Sequence, residues 1–348
     1  MKEKIKCVVP FSCGGIATYG LENIGFEVAV CNELDFERAR WHKATHPNGA
    51  MIYGDIWQKK EEIIKAAIKH KCKVGLFSCP CQPFSLQGGV NLKDPRARLF
   101  LPTIDIIKQA GLIAFLYENV PFWVSDKAIL DDDPRCIRQR IFDEFKDDFD
   151  MVYGIQCGSR FGSPQARKRS FILGIKKGCG TWKLPEPDPI EKTPTFRQTC
   201  GHLEWLEPGQ HGQHTMHYAQ KLPKWQEDFL KQLPAEKSGW DDDVPMKPKN
   251  VSGTDSHAKH KASFSRLRWD KPIGTLTTDA SSISGHRTIH PEQNRVLSPL
   301  EMMLCCGLDE NYPVPRFAYG NDKLIYDIFG ECFLPKHLQR ILSEIKWS

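Results

Sequence analysis

Ile5-Lys6-Cys7-Val8-Val9-Pro10-Phe11-Ser12-Cys13-Gly14-Gly15 is the stretch that decides the fold. Its first half is a short apolar run that reads as a buried strand ending near Pro10. Ser12 to Gly15 make a glycine-bearing turn. Ile16 to Ile24 then show helical spacing, with Ile16, Tyr19, Leu21 and Ile24 as core contacts and Gly25 as a C-terminal cap. Phe26 to Val30 read as a second strand, which leads into Asn32-Glu33-Leu34-Asp35. Strand, glycine turn, helix, strand and acid is the order of a mononucleotide-binding half of a doubly wound sheet. The turn lacks the GxGxxG spacing of dinucleotide sites, so a nucleoside without a pyrophosphate fits better.

Outward from this unit the alternation continues. The pattern predicts helices over residues 38–44, 59–70 and 99–109, and one opened by Asp133-Pro134 and running to about Phe145. Strands are expected at 51–53, 74–77, 112–117, 151–156 and 170–175. Regular alternation of this kind predicts an α/β fold with an open, mostly parallel sheet. Ligands of such sheets gather at the carboxyl ends of the strands. Glu33, Asp55, Cys81 and Glu118 all fall at those ends. Cys81 lies in Ser78-Cys79-Pro80-Cys81-Gln82-Pro83-Phe84-Ser85, where two prolines keep the loop from becoming helix. A catalytic thiol, a metal ligand and a buried spacer are all open to it at this point.

Bulk composition bounds the rest. The 348 residues suit two domains or one large domain with an insertion, and the formal net charge of +5 permits a polyanionic partner without demanding one. Thirteen cysteines in no disulfide-like framework point to free thiols in a reducing, cytoplasmic setting. The apolar run Val8 to Phe11 is too short for a signal peptide, and no run reaches the length of a membrane span. From Thr181 to about His290 the chain is rich in Pro, Gly, His and Trp and loses periodicity, so a second, smaller and irregular domain is expected there. Helical pattern returns at 299–306 and 334–345.

Taken together, the chain resembles the DNA (cytosine-5) methyltransferase family. Pro80-Cys81-Gln82 is similar to its catalytic motif, Glu118-Asn119-Val120 to its acidic motif, and Gln165-x-Arg167-x-Arg169 to its QxRxR motif, in the family's order and spacing. The likeness extends to Asp94-Pro95-Arg96-Ala97-Arg98-Leu99, to Arg268-Trp269-Asp270-Lys271-Pro272 with Thr275-Leu276-Thr277-Thr278, and to His290-Pro291, Arg295-Val296-Leu297-Ser298 and Glu301. It covers most of the chain apart from roughly residues 183–262. Two departures stand out: Cys13 and Ile16 occupy positions where the family's first motif usually has glycine, and Gly330-Glu331 replaces a usual Gly-Asn.

The resemblance implies a Rossmann-like methyltransferase that uses S-adenosyl-L-methionine. Cys81 would be the nucleophile that adds to cytosine C6, with Glu118 at the N3 edge. Arg167, Arg169, Gln82 and Asn119 would support them. Phe11, Gly14, Gly15, Glu33, Leu34, Asp55, Ile56 and Pro80 would surround the cofactor. Ser85, Arg96, Arg98, Gln165 and Arg268 would contact double-stranded DNA. A catalytic domain over 1–180 is completed by about 319–348, a target-recognition domain spans 181–290, and 291–318 form a hinge and return segment. A monomer is expected, with a restriction endonuclease as a genetic partner only. An RNA (transfer RNA) cytosine methyltransferase and a weakly active DNA-binding member are the alternatives. Cys200-x-His202 with His211, His214 and His217 matches no standard zinc spacing, so no metal is expected.

Overall fold

The structure, a computed structural model, describes residues 3–86, 88–188, 192–248, 262–285 and 287–348. The part of the expected recognition region between 249 and 261 lies outside them. The described residues divide into two compact units. One comprises residues 1–157, 168–187 and 337–348, and the other 158–167 and 188–336. Residues 319–336 thus group with the second unit, whereas the sequence pattern assigns them to the first.

The first unit is built on a seven-stranded sheet. β1 (Ile5–Pro10), β2 (Phe26–Glu33), β3 (Ala50–Tyr53), β4 (Val74–Phe77), β5 (Ala114–Asn119), β6 (Phe149–Cys157) and β7 (Lys168–Lys176) lie in the order β3-β2-β1-β4-β5-β7-β6. The first five pair in parallel, and β7 runs antiparallel to both its neighbours. The strands β4 and β5 are buried along their whole length, as expected for strands covered on both faces. The order reverses between β1 and β4. Their carboxyl ends therefore flank the crevice where open α/β sheets take ligands. The loops that leave those ends are Phe11–Gly15 and Ser78–Ser85, the two stretches singled out by their sequence.

Helices α1 (Phe36–Thr45), α2 (Ile56–Lys69), α3 (Leu101–Gln109) and α4 (Ile137–Phe145) separate the strands. Ile63, Ile64 and Ala67 of α2 share one apolar core with Val30, Ile106, Ile107 and Phe115. Three of the differences from the expected boundaries have a local cause. Ile16 to Gly20 form turns rather than helix, because Gly20 adopts φ +77 and only Leu21–Ile24 close a short 3₁₀ turn. The helix α2 starts three residues early, because Asp55 accepts from Trp57 N at 2.9 Å and caps it. The helix α4 starts at Ile137 rather than at Pro134. Asp133 is occupied by the Arg135 backbone and guanidinium, and an Ile129–Cys136 bridge keeps the chain extended. A two-stranded sheet, β8 (Gly180–Thr181) with β9 (Lys346–Trp347), closes this unit.

The second unit is less regular but not structureless. It holds α5 (Phe196–Cys200), α6 (Lys224–Gln232), α7 (Pro299–Cys305) and α8 (Asp322–Glu331); α9 (Pro335–Ser343) starts at its end and runs into the first unit. Its small core gathers Phe229, Leu230, Val244, Phe264, Ile283, Ile289 and Val296. Two buried arginines hold it. Arg266 donates to the carbonyls of Leu230, Leu233, His290 and Gln293. Arg295 grips Glu301 with both terminal nitrogens, at 2.6 and 2.8 Å. Burial would raise the Glu301 pKa, but the adjacent Arg295 charge outweighs it and holds the acid down to about 2. Glu301 also completes a capping box with Ser298 at the start of α7.

Candidate active site

The loop after β4 is fixed from β5. Asn119, the last residue of β5, donates its amide to the Cys79 carbonyl at 3.0 Å and accepts from Val120 N at 2.8 Å. The two cysteines of the loop therefore differ. Cys79 is buried, and burial followed by the nearby Glu118 charge pushes its thiol far above the ordinary value. Cys81 is only half-buried and opens the 3₁₀ turn Gln82–Phe84. Of the pair, Cys81 is the thiol that solvent and a substrate can reach. Pro80 and Ser85 are half-buried on either side of it, and Gln82 is exposed.

Glu118 precedes Asn119 and is buried beside it. Its Oε1 receives Arg169 Nε at 2.9 Å, and Arg169 Nη1 also donates to the Lys168 carbonyl. Register explains the meeting. Glu118 lies opposite Phe171 on β7, and Arg169 is two residues earlier on that strand. Ser170 adds hydrogen bonds to the carbonyls of Asn119 and Val120. A carboxylate, its guanidinium partner and the tether of a half-buried thiol thus converge at the ends of neighbouring strands.

The loop continues into Asp94, which caps the 3₁₀ turn Pro95–Arg98 and forks with Arg96 at 3.0 and 2.7 Å. The Arg96 charge is close enough to Cys81 to interact with it. Arg98 pairs with Asp131 and reaches Asp132 at 3.4 Å. Arg268, in the second unit, forks onto Asp270. These arginines, expected at a DNA backbone, are all carboxylate-paired within the chain.

Gln165 and Arg167 belong to the second unit and brace one segment. Gln165 Oε1 accepts from Leu276 N at 3.1 Å, and Arg167 Nη1 donates to the Leu276 carbonyl at 2.7 Å. Gln165 pairs in parallel with Ile273. Arg167 Nε is buried with no hydrogen-bond partner among the described residues. The segment 273–278 is also covered by Gly330, where a Cβ would meet the Thr277 carbonyl carbon at 2.4 Å. The link between QxRxR and Thr275-Leu276-Thr277 has no local sequence signal, since about 110 residues separate them.

At the other mouth of the crevice, Glu33 ends β2. Its Oε2 accepts from Cys13 N at 2.8 Å, and its Oε1 from Leu34 N and Asp35 N at 2.9 and 3.0 Å. Burial raises the Glu33 pKa against these hydrogen bonds. Three of roughly four acceptor positions are used, which leaves one for a ligand hydroxyl. Phe11, Cys13 and Gly15 all take positive φ, at 58°, 47° and 76°. Cys13 thus keeps a left-handed backbone without being glycine, at a cost of about 1–2 kcal/mol. Gly14 is buried, and Phe11 packs against the core. Leu34, Phe36, Tyr53 and Trp57 are exposed near the ends of β2 and β3, while Ile56 is in the core. An acid with a spare acceptor beside apolar side chains and a tight turn suits an adenosine carrying a short polar tail.

The histidines of the expected metal-free loop are separately engaged. His202 contacts Glu310 at 2.8 Å, His217 is buried against Ser298 and the Glu204 carbonyl, and His211 stacks on Tyr218. His214 reaches the Glu310 carbonyl at 3.1 Å. No cluster of three metal-ligating side chains occurs among the described residues. Nor, among them, is any helix long and apolar enough to cross a membrane.

Comparison with known proteins adds to this geometry. The sequence matches the family model of C-5 cytosine-specific DNA methylases over residues 7–347. It is 31% identical to the type II methyltransferase M1.HgaI of Avibacterium volantium across 99% of both chains. It is 28% identical to M.HpaII of Haemophilus parainfluenzae over 56% of this chain and 53% of that one. In fold it is similar to a DNA modification methyltransferase encoded within an E. coli prophage, with a TM-score of 0.73, 18% identity and 98% of each chain covered. The Dnmt2 methyltransferase of S. pombe is similar too, with a TM-score of 0.63, 14% identity and 98% of each chain covered. A match of this extent places the chain in the C-5 cytosine-specific DNA methylase family, the DNA cytosine-5 methyltransferases.

Proposed function

We propose that the chain methylates C5 of a cytosine flipped out of double-stranded DNA at a short specific sequence, through a transient bond between Cys81 and C6. The observation that carries this reading is the half-buried Cys81 in a loop that Asn119 ties, through the Cys79 carbonyl, to the strand bearing the buried Glu118–Arg169 pair. Cytosine C5 is a weak nucleophile. Addition of the Cys81 thiolate to C6 makes the ring enamine-like and moves electron density onto C5. Glu118, oriented by Arg169, holds the N3 and 4-amino edge where charge develops. Loss of the C5 proton then expels Cys81 and restores the aromatic ring.

S-adenosyl-L-methionine, when bound, supplies the methyl group that C5 takes up. Glu33 would hold its ribose hydroxyls through its remaining acceptor position. Leu34 and Ile56 would flank the adenine, and Asp55 would face the adenine amino group. Phe11 and the backbone of Gly14 and Gly15 would border the methionine end, with Pro80 nearby. A target base inside a duplex must leave the stack to reach Cys81. Ser85, Arg96, Arg98 and Arg268 are the proposed contacts to DNA, and the region 181–290 the proposed reader of its sequence; Gln165, expected among the contacts, is fully buried with its amide committed to Leu276 and Cys305 and is better suited to bracing.

Bisulfite sequencing of DNA from cells expressing the chain tests this, with Cys81→Ala as control. The expected result is one recurring sequence context methylated in the wild type and unmethylated in the variant. Absence of any methylated context, or methyl transfer to transfer RNA alone, overturns it.

A further inference from the structure

The turn Phe11–Gly15 rests on a buried polar cluster that the chemistry above does not use. His42 and His46 sit one helical turn apart at the end of α1 and the residue after it, with ring centroids 4.5 Å apart. A Cβ at Gly15 would lie 2.8 Å from the His46 ring and 3.0 Å from His42 Nδ1, so the turn lies directly on the two rings. Both ring nitrogens of His42 and the hydroxyl of Ser12 are buried, and the His42 ring faces the Ser12 backbone of the turn.

His46 makes a hydrogen-bonded chain. Thr18 donates its hydroxyl to the Gly15 carbonyl at 3.1 Å, so the same oxygen accepts from His46 Nε2 at 3.2 Å. The other ring nitrogen, Nδ1, lies 3.0 Å from the Thr45 hydroxyl, which also reaches the His42 carbonyl at 3.1 Å. A connected run of hydrogen bonds thus leads from Thr45 through His46 and Thr18 to the Gly15 carbonyl. On its other side the turn is held by Ser12 N on the Asn32 carbonyl and Cys13 N on Glu33. A run with three left-handed residues in five persists only where its surroundings fix it.

We infer that His46, with Thr18 and Thr45, is a positioning element for S-adenosyl-L-methionine: the chain holds the Gly15 carbonyl and the left-handed backbone before it, and so sets cofactor affinity without touching the cofactor. His42 completes the support by filling the space beneath Gly15. The inference rests on the assignment of the turn to the cofactor. It adds a set of residues on α1 and on the 16–18 turn to those that line the site.

The test is Thr18→Val, which keeps the shape and removes the hydroxyl, against Thr18→Ser, which keeps the hydroxyl. His46→Leu breaks the same chain at its centre. Calorimetry with S-adenosylhomocysteine and steady-state kinetics are run on the full-length variants. Loss of one buried hydrogen bond predicts about tenfold weaker binding for Thr18→Val and a similar rise in KM for S-adenosylmethionine. Thr18→Ser should bind within about twofold of wild type by the same reasoning. At saturating S-adenosylmethionine, kcat and KM for DNA should be unchanged in all three. Wild-type affinity in Thr18→Val, or a parallel fall in kcat and DNA affinity, overturns the positioning role. Failure of the wild type itself to bind S-adenosylhomocysteine would instead sink the cofactor assignment.

Discussion

Replacement of Arg169 by Met removes the positive half of the Glu118 pair while keeping the length of the side chain. The two groups are 2.9 Å apart, and their side chains are 9% and 8% exposed. At an effective dielectric of about 20, unit charges at that separation attract by roughly 6 kcal/mol. Desolvation of both groups offsets most of this in the intact pair. Removing one partner leaves the other buried and uncompensated, at a cost of roughly 3–5 kcal/mol. For a chain of this size that lowers the melting temperature by about 2 °C per kcal/mol, or roughly 6–10 °C in total.

The functional loss has a separate origin. On the proposed mechanism, Glu118 without Arg169 is no longer held for the base edge, and removal of one such electrostatic contact typically lowers kcat by about 10²–10³. Arg169→Lys should recover part of the stability and little of the rate, because an ammonium cannot reproduce the two directed contacts to Glu118 and the Lys168 carbonyl. The assay pairs calorimetric melting with methyl incorporation into duplex DNA at saturating S-adenosylmethionine. A double-mutant cycle with Glu118→Gln should show strong non-additivity in both readouts. An Arg169→Met protein that melts with the wild type, or a cycle that is additive, would refute the coupling.

Cys79→Ser should retain methyl transfer while Cys81→Ser loses it, since only Cys81 is reachable; incorporation assays on both variants separate them. Asn119→Leu should release the Cys79 carbonyl and lower kcat about tenfold, equivalent to one hydrogen bond of about 1.4 kcal/mol; an unchanged kcat would remove the tether from the mechanism. Burial holds His42, His290 and His337 down to about 3, below the 6.5 of an unfolded histidine. Stability from their neutral forms is therefore complete above pH 6.5 and falls away towards pH 3. At pH 5.5 the three together should cost roughly 4 kcal/mol, read as a melting temperature that drops between pH 7.5 and 5.5.

The first unit could be read in advance because its signals are local. An apolar strand, a glycine turn and an acid one strand later specify β1, its turn and Glu33 within thirty residues, and the parallel order then places Cys81 and Glu118 at adjacent ends. Helix starts were misplaced where one side chain chose the boundary, as Asp55 does for α2 and Asp133 for α4. The second unit gave less, because α5 and α6 are short and its core is assembled from distant turns. α8 escaped for a different reason: its apolar face is regular, but the one motif read there, Gly330-Glu331, lies at its end, whereas Asn321 caps its start. Asn119 shows the limit at the site itself. Its position beside Glu118 suggests chemistry, whereas its amide is committed to a carbonyl forty residues earlier.

Arginine is where sequence alone misleads most, because one residue type serves two opposed ends. Arg96, Arg98 and Arg268 follow motif order and read as phosphate contacts, yet each is held by a carboxylate two to thirty-four residues away. Arg266 and Arg295 look no different in sequence, yet they are buried and spend their donors on backbone carbonyls and Glu301. The distinction follows from where the counter-charge lies. An exposed Arg–Asp fork is worth little and can exchange its carboxylate for a phosphate at small cost. A buried guanidinium with several protein acceptors cannot, since every broken contact would leave a desolvated donor. A salt titration of duplex binding therefore sorts them. Removing Arg96 or Arg98 should flatten the dependence of log K on log salt by about one unit each. Arg266→Met should leave that slope unchanged and lower the melting temperature.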